Sequence, residues 1–401
     1  MLFLQVNKLS LPHGFVYKIK ELRRKFDVIA KRRLMFGFEW TCRFMSDEVV
    51  EQPKSIVFVD VFDICGRDKD RDDLMSNLLG KGSQEERSPH VISLVGMGGI
   101  GKTTLSQIVY TDDKVKAHFE RRTWVCVSEP FDEIKVAKAI IGNHEGDSSN
   151  ITDLSRLFQR IFSFKRGKKF FLVLDNVWTE DFTKWEPFRI ALKYGSRGSR
   201  ILVTTRKMEV AKIMGSAYTI NLDVLSGKDC WYMFSKIAFF EKNLEQHQLL
   251  EELGREISRK CKGLPLAIKV RGSFLRFKKY REDWKNVLDG NLWDYSWEFG
   301  DVESCLFTPL LLSYDLPPVL RRCFSYCAIF PKDAVILVKD LIQLWMAQNY
   351  LSAKGPMNME ILGQQYFEVL AMCSFFQDFE RNKDDGRIIS CKMHDIVHDF
   401  V

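Results

Sequence analysis

Short apolar runs alternate with helical segments through the first half of the chain, and this pattern predicts a parallel α/β sheet. Between the runs, residues 134–141 and 154–164 have helical spacing. Strands that alternate with helices build a sheet covered on both faces, so ligands are expected at the carboxyl ends of the strands. Four runs have the length and the β-branched or aromatic composition of buried strands, at residues 91–95, 123–128, 168–175 and 199–206.

The pattern changes at about residue 215, where the strand signal fades and helical spacing takes over. Gly263 with Pro265 marks the stop of one predicted helix and the start of the next. Residues 302–401 are mostly helical and end in two short strands, 375–379 and 388–393, around a turn. Helices followed by such a hairpin are typical of a winged-helix module. The helices predicted before it cover residues 229–240, 249–261, 265–277 and 282–288.

An amphipathic helix is predicted near the N-terminus, over residues 15–45. Its apolar seam of Ile19, Leu22, Phe26 and Ile29 needs partner helices, so it either packs on the rest of the protein or lacks neighbours that would precede this sequence. Residues 1–45 hold ten Lys and Arg against three acidic residues, whereas residues 301–401 hold nine against thirteen. The basic excess is therefore local. It indicates a solvated helix face more than a lipid or nucleic-acid surface, and the chain has no strong nucleic-acid signal.

Composition places the chain among intracellular globular proteins with several domains. Its 401 residues are 46% hydrophobic and 28% charged. No apolar run approaches the roughly 20 residues that a membrane span needs. The ten cysteines are scattered, and several, such as Cys126 and Cys373, lie inside apolar runs. This favours buried, reduced thiols in a cytoplasmic or nuclear protein. A location at the periphery of the plasma membrane stays open as well.

The most specific motif lies between the first predicted strand and the helix that follows. Residues 96–103 match the phosphate-binding pattern GxxxxGK(S/T). Lys102 adds a charge for the β- and γ-phosphates, and the Thr103 hydroxyl can reach a Mg²⁺ ion. The helix that starts here directs its positive dipole end at the phosphates. Four glycines let the backbone N–H groups turn toward phosphate oxygens, namely Gly96, Gly98, Gly99 and Gly101.

Two later strands end in polar residues that belong at the same edge of the sheet. Asp175 closes the third apolar run and is placed, like a Walker-B acid, to bind Mg²⁺ directly or through water. Asn176 follows, and because an amide cannot take a proton from water, hydrolysis is expected to be slow while binding persists. Arg206 closes the fourth run, where it would contact a γ-phosphate or form a structural ion pair. These three residues are the candidates for catalysis.

Eight segments, taken in order, resemble the NB-ARC module of plant coiled-coil-class nucleotide-binding leucine-rich-repeat immune receptors. The resemblance runs from about residue 15 to the end, and eight matches in this order are far more specific than any one of them. The segments are residues 96–105, 119–131, 170–178 and 198–207, then Cys-Trp-Tyr-Met-Phe at 230–234, Cys-Lys-Gly-Leu-Pro-Leu-Ala at 261–267, Cys-Phe-Ser-Tyr-Cys-Ala-Ile-Phe-Pro at 323–331, and Met-His-Asp at 393–395.

The resemblance implies an α/β fold class, with a P-loop NTPase parallel sheet followed by a helical domain and a winged-helix domain. It divides the chain into a remnant of an N-terminal coiled-coil domain at 1–50 and a P-loop nucleotide-binding domain at 51–220. The helical domain would then occupy residues 221–300, and the winged-helix domain residues 301–401.

The family's nucleotide contacts also map onto this chain. They comprise phosphate-binding residues, a segment beside the adenine, a proline that closes over the nucleotide from the helical domain, and a histidine of the winged-helix domain. That histidine contacts the β-phosphate of ADP and so holds the winged helix in place beside the nucleotide. Without the resemblance, it would be taken for an ordinary surface or core residue. The matching phosphate-binding residues are Gly99, Gly101, Lys102, Thr103 and Thr104, and the segment beside the adenine is Ile64, Gly66 and Arg67. The closing proline is Pro265, and the histidine is His394.

The function implied by the resemblance is a molecular switch that holds ADP at rest and ATP with Mg²⁺ when active. Exchange drives rearrangement and self-association with other receptor chains, which starts a defence response. Asn176 departs from the family, which usually has a second Asp there, and neither a complete N-terminal domain nor the repeats are present in the sequence.

Other functions stay open. The chain could be a P-loop ATPase whose turnover is the function, or an inert or inhibitory fragment of a receptor. A winged-helix regulator that binds nucleic acid is disfavoured by the acidic balance of residues 301–401. For a kinase, no acceptor site or catalytic base is evident.

Overall fold

The computed structural model describes residues 65–80, 89–127, 131–142, 151, 153–240, 242–276, 278–289, 316–351, 359–373, 375–382, 386–394 and 397–398. The chain divides into two compact units, Met1–Lys54 and Ser55–Val401, and every described residue belongs to the second. The predicted N-terminal helix and Ile64 lie outside the described residues.

The larger sheet has five parallel strands in the order β2-β3-β4-β1-β5. Strands β3 and β4 are buried over their whole length, which explains the continuous apolar runs at residues 170–174 and 201–203 within them. In the register of the sheet, Cys126 lies opposite Asp175, and Val95 lies opposite Thr205. The carboxyl ends of β1, β2, β3 and β4 therefore meet at one edge, as predicted. The strands are β1 (His90–Val95), β2 (Arg121–Cys126), β3 (Phe170–Asp175), β4 (Arg200–Thr205) and β5 (Tyr218–Asn221).

Strand β5 departs from the prediction, because it lies where the strand signal had faded. It has four residues, and only Ile220 among them is buried, so it carries no apolar run. Pairing with β1, from Ile92 to Val95, establishes it as a strand. Tertiary pairing rather than composition thus sets the edge of the sheet.

Helices pack on both faces of this sheet. Along β3, Phe171 and Val173 belong to one hydrophobic cluster, whereas Leu172 and Leu174 belong to a second cluster on the opposite face. This alternation follows from the two-residue period of a strand. The helices are α1 (Asp68–Leu79), α2 (Lys102–Thr111), α3 (Asp113–His118), α4 (Glu133–Ile141), α5 (Leu154–Lys165), α6 (Phe182–Leu192) and α7 (Met208–Ile213).

A group of four helices follows, at or near the predicted positions. Helix α9 begins earlier than its apolar pattern indicated, because Asn243 and Gln246 form a capping box at its start. Trp284 is fully buried between these helices and joins the same hydrophobic cluster as Phe171 of the sheet. Throughout the described residues, no helix is long and apolar enough to cross a membrane. The four helices are α8 (Gly227–Ala238), α9 (Leu244–Lys260), α10 (Pro265–Arg276) and α11 (Arg281–Asp289).

The last region is a winged helix, as predicted. Its three strands form an antiparallel sheet in the order β6-β8-β7. Trp345 and Phe367 are fully buried and continue the cluster that contains Phe171 and Trp284, so the apolar core runs from the larger sheet into this region. The elements are α12 (Pro318–Tyr326), a 3₁₀ turn (Cys327–Ile329), β6 (Ile336–Leu337), α13 (Val338–Ala347), α14 (Met359–Met372), β7 (Phe376–Arg381) and β8 (Ile388–Met393).

Candidate functional site

The phosphate loop connects β1 to α2 and has the backbone that its glycines allow. Gly99 and Gly101 have φ values of 68° and 101°, in the left-handed region that disfavours residues with a Cβ. Gly101 is the N-cap of α2 and, having no side chain, leaves the start of the helix without a side-chain cap. This is the arrangement that binds phosphate at a helix N-terminus. Gly98 and Thr104 flank the turn, at the positions that the motif predicts.

The side chain of Lys102 turns back, so that its ammonium group lies inside this loop. Its Nζ donates to the carbonyl oxygens of Gly96, at 2.7 Å, and Met97, at 2.8 Å, and its side chain is largely buried. A positive charge is thereby held inside the curve of the loop. An ammonium held by two carbonyl oxygens is positioned to attract phosphate oxygens.

Asp175 lies at the carboxyl end of β3 and is 3% exposed. Its Oδ1 accepts hydrogen bonds from the Thr103 hydroxyl, at 3.0 Å, and from the Thr204 hydroxyl, at 2.5 Å. Burial raises the pKa of this carboxyl group, and the two hydroxyl donors only partly oppose that effect. The two residues that the sequence predicts as Mg²⁺ ligands, Thr103 and Asp175, are therefore in direct contact.

A hydroxyl and a carboxylate are the kind of ligands that Mg²⁺ takes in phosphate-binding sites. Among the described residues, no group of three or more His, Cys, Asp or Glu side chains could hold a metal ion by itself. Thr103 and Asp175 therefore fit a Mg²⁺ that completes its coordination with phosphate oxygens and water, rather than a cage built by the protein alone.

Asn176 has a left-handed backbone, with φ at 61°, and its side chain is engaged. Its N–H donates to the Thr204 hydroxyl at 2.8 Å, and its Oδ1 accepts from the indole N–H of Trp178 at 2.8 Å. The amide therefore positions its neighbours and, having no basic atom, cannot take a proton. Arg206, at the end of β4, has its guanidinium carbon 4.4 Å from the centre of the Trp178 ring.

The segment predicted to lie beside the adenine touches two other elements. Arg67 is 8% exposed, and its guanidinium donates to the carbonyl oxygen of Ile100 in the phosphate loop at 3.0 Å. Gly66 has φ at +70°, and a Cβ there would lie 2.6 Å from the Cγ of Asp229 in α8. A close approach of this segment to α8 thus requires glycine.

Pro265 begins α10, and the next residue contacts the phosphate loop directly. The N–H of Leu266 donates to the carbonyl oxygen of Gly99 at 3.2 Å. The turn before α10 is fixed in the same way, because the N–H of Leu225 donates to the Gly263 carbonyl oxygen at 2.8 Å. The sequence-predicted proline therefore stands beside the loop, at the start of a helix that the loop itself caps.

His394 directly follows β8. Its N–H donates to the carbonyl oxygen of Phe375 at 3.1 Å, and its own carbonyl oxygen accepts from the N–H of His398 at 2.9 Å. These bonds fix the backbone at the point where the winged-helix hairpin ends. The contact of its ring with a nucleotide stays a prediction.

Cys126 contradicts the prediction that it is a buried thiol, although Cys373 agrees with it. The Cys126 side chain is exposed and its Sγ lies 4.0 Å from Oδ2 of Asp175. Burial, followed by the Asp175 charge, nevertheless raises the pKa of this thiol well above its usual value. Protein therefore surrounds much of this thiol, while part of the residue remains exposed. The apolar run was misleading because Cys126 is its last residue within β2, at the carboxyl edge of the sheet.

Comparison with known proteins shows which proteins this chain is similar to. The NB-ARC domain matches residues 68–244, and the Disease resistance protein Winged helix domain matches residues 329–401. The Putative disease resistance protein RGA4 of Solanum bulbocastanum is 37% identical over 393 residues, which are 98% of this chain and 39% of that protein. The Disease resistance protein RPM1 of Arabidopsis thaliana is 34% identical over 335 residues, 80% of this chain and 35% of that protein. The chain belongs to the NB-ARC disease resistance proteins.

These comparisons agree with the sequence prediction of an NB-ARC nucleotide-binding domain followed by a winged helix. The chain spans less than two fifths of the length of curated relatives such as RGA4 and RGA2. Among solved structures, a Signal Transduction ATPase with Numerous Domains from Pyrococcus horikoshii aligns with a TM-score of 0.47 and 16% identity, covering 84% of this chain and 42% of that one.

Three residues of this NB-ARC site were missed by sequence reasoning: Thr204, Trp178 and Lys332. The polar pair Thr204-Thr205 at the end of an apolar strand was a signal that could have identified Thr204. Lys332 belongs to the winged helix, and its Nζ lies 5.6 Å from the centre of the Trp178 ring. No sequence signal predicts that contact, because it depends on how the winged helix packs.

Proposed function

We propose that this NB-ARC chain is a nucleotide-gated switch, which holds ADP in its off state and binds ATP in its on state. The observation that carries the proposal is the contact of the phosphate loop with residues from other regions of the fold. Leu266 of α10 bonds to Gly99 in the loop, and Arg67 bonds to Ile100. A ligand that occupies the loop would therefore act on the packing of the elements around it.

The phosphate group of the nucleotide would be held by the loop N–H groups, Lys102, Thr103 and Thr104. Arg67 and Gly66, with Ile64, would border the adenine, and Pro265 would close over the nucleotide. When bound, Mg²⁺ would neutralise phosphate charge and orient the phosphate oxygens. Thr103 and Asp175 would hold it, directly or through water.

Arg206 and His394 would distinguish the two states. Arg206 lies at the same sheet edge as Asp175 and would contact the γ-phosphate, which only ATP carries. His394 ends the winged-helix hairpin and would contact the β-phosphate of ADP, so that the winged helix stays down while ADP is bound. Slow hydrolysis follows from Asn176, whose amide lacks the basic atom that activates water.

Calorimetric titration of the nucleotide-stripped full chain with ADP and with ATP, each with and without Mg²⁺, tests the proposal. We expect both nucleotides to bind, with Mg²⁺ strengthening ATP binding more than ADP binding because of the added γ-phosphate charge. Asp175→Asn should remove most of the Mg²⁺ dependence and leave ADP binding in place. Failure of the parent protein to bind either nucleotide would end the proposal.

A second candidate is an ATPase whose turnover is itself the function. The Thr103–Asp175 pair at 3.0 Å favours it, because hydrolytic P-loop enzymes use the same pair to hold Mg²⁺. Asn176 argues against fast turnover. Measurement of steady-state phosphate release distinguishes the two functions. Many turnovers per second would show that the chain acts as an ATPase rather than as a switch.

The biological setting is also proposed from the relatives. Proteins such as RGA2 are described as disease resistance proteins, and this chain covers about 39% of that protein. We infer a role in plant defence, with other receptor chains as partners, self-association in the ATP state, and a cytoplasmic location that can extend to the nucleus or plasma membrane. An inert or inhibitory fragment is the alternative, and expression of the chain beside a full-length relative would distinguish them.

A further inference from the structure

Trp178 contacts two cationic side chains from different parts of the fold. It follows β3 by three residues, and its indole ring is half-buried. The guanidinium carbon of Arg206 lies 4.4 Å from the ring centre, and Nζ of Lys332 lies 5.6 Å from it. Arg206 directly follows β4 of the larger sheet, whereas Lys332 lies in the turn between the 3₁₀ segment and β6 of the winged helix. One aromatic ring therefore joins the sheet edge to the winged helix.

The ring is fixed in orientation from the sheet side. Its Nε1–H donates to Oδ1 of Asn176 at 2.8 Å, and the N–H of Asn176 donates to Thr204 at 2.8 Å. Thr204 in turn donates to Asp175. A continuous chain of hydrogen bonds thus runs from the predicted Mg²⁺ ligand to the indole ring. The amide that replaces the family's second Asp serves here to orient Trp178.

A cation over an aromatic face is attracted by the negative potential of the ring, and arginine also stacks flat on it. The position of the Arg206 guanidinium is therefore coupled to the position of the ring. Lys332 contributes a second contact to the same ring, from the winged helix rather than from the sheet. Loss of Lys332 would weaken one support of the ring that positions Arg206.

The winged helix brings further charges to the same edge. Lys392 of β8 forms an ion pair with Asp378 of β7 at 3.3 Å, and Asp378 has a left-handed φ of 52°. The Asp378 and Lys392 charges also affect the pKa of Cys126, after the larger effects of burial and Asp175. Lys332 is therefore not an isolated contact of the winged helix at this edge.

We propose that Trp178 and Lys332 are positioning residues that couple the winged helix to Arg206, and thereby set the preference of the site for a nucleoside triphosphate or diphosphate. The inference rests on the proposed function, since it needs Arg206 to contact the γ-phosphate. By reciprocity, a nucleotide that engages Arg206 changes the affinity of the winged helix for the Trp178 ring by the same factor.

The test uses the full chain and two measurements. The first is the dissociation rate of a fluorescent ADP after a chase of unlabelled ADP. The second is the ratio of dissociation constants for ADP and a non-hydrolysable ATP analogue. The variants are Lys332→Gln, Lys332→Arg, Trp178→Phe and Trp178→Leu. Lys339→Gln is the matched control, because Lys339 is an exposed lysine of the same winged helix and loses the same charge.

We expect Lys332→Gln to release ADP about two- to fivefold faster than the parent, and Lys332→Arg to restore the parental rate. Trp178→Leu should speed ADP release and also lower affinity for the ATP analogue about two- to fivefold more than affinity for ADP. Trp178→Phe keeps an aromatic face and loses the indole N–H, so its preference should fall between the parent and Trp178→Leu.

Two results would overturn the inference. One is Lys332→Gln releasing ADP at the rate of Lys339→Gln. The other is Trp178→Leu losing ADP and ATP-analogue affinity equally, which is the mark of a merely structural role. If Trp178→Leu does not fold, Lys332→Gln and Trp178→Phe still decide the matter. A parent that binds no nucleotide would instead refute the proposed function, so the two failures are distinguishable.

Discussion

The two sides of the candidate site are built differently. On the sheet side, Asp175 is 3% exposed and two hydroxyl groups saturate its Oδ1, at 3.0 and 2.5 Å. On the other side, the described contacts from the later domains include a backbone hydrogen bond from Leu266 at 3.2 Å and the approach of Lys332 to Trp178 at 5.6 Å. The first side is a buried polar network, whereas the polar contacts of the second side include a half-buried cation–aromatic pair, in addition to the shared apolar core.

Under the proposed switch, this difference predicts which side would move. Buried networks of hydrogen bonds are costly to break, because each group left unsatisfied loses about 1–3 kcal/mol. A half-buried cation–aromatic contact contributes about 0.5–1 kcal/mol and is exchanged for water at little cost. The sheet edge is thus suited to hold a nucleotide, and the later domains are suited to respond to it.

The largest expected effect comes from the sheet side, with Lys102→Ala. Each hydrogen bond from a charged donor to phosphate contributes about 1.5–3 kcal/mol to the binding free energy. Because Lys102→Ala removes such a donor, it should weaken ADP and ATP binding by about 100-fold or more. Lys114→Ala, which removes an exposed lysine of α3, is the control and should bind as the parent does. Titration calorimetry measures both. Equal binding by Lys102→Ala and the parent would show that the phosphate loop is not the nucleotide site.

A second change tests the junction between the sheet and the later domains. Gly263→Ala should lower the thermal unfolding midpoint and weaken ADP binding, because φ is +79° there and a Cβ would lie 2.6 Å from the Leu225 carbonyl oxygen. The strained backbone alone costs about 1–3 kcal/mol. Gly227→Ala is the matched control, since a Cβ at Gly227 meets nothing within 4 Å. Identical melting and binding for the two variants would contradict the close approach at Gly263.

A third change tests the assignment of Asn176. Asn176→Asp places a carboxylate where water could be activated, and the left-handed backbone tolerates Asp as well as Asn. We expect phosphate release to rise about tenfold or more, while ADP binding changes little. Asn176→Ala should not raise the rate. A rate for Asn176→Asp at or below that of the parent would remove Asn176 as the cause of slow hydrolysis.

The smallest effect expected is on the chemistry of Cys126. Its thiol is exposed but has a raised pKa, first through burial and then through the Asp175 charge, so alkylation by iodoacetamide should be slow at neutral pH. Because thiolate forms only as pH rises through this pKa, the rate should still increase above pH 9, and bound ADP should slow it. Mass spectrometry of the modified peptide measures this. Alkylation unaffected by nucleotide would show that the nucleotide does not bind beside Cys126 and Asp175.

The sheet side was predictable because its signals are local. The phosphate loop follows from eight consecutive residues, and Asp175 and Arg206 follow from the ends of two apolar strands. Strand β5 and the exposure of Cys126 were not predictable, since pairing with β1 and the surroundings of a strand end depend on distant parts of the chain. Lys332 was missed for the same reason: its contact with Trp178 joins residues 154 positions apart.

The central claim is that this chain holds ADP and that the winged helix helps to retain it. The most direct measurement is the amount and identity of nucleotide released when the purified full chain and His394→Ala are denatured. The account predicts close to one ADP per chain in the parent and clearly less in His394→Ala. A parent that releases no nucleotide, or a His394→Ala variant that retains as much ADP as the parent, would contradict it.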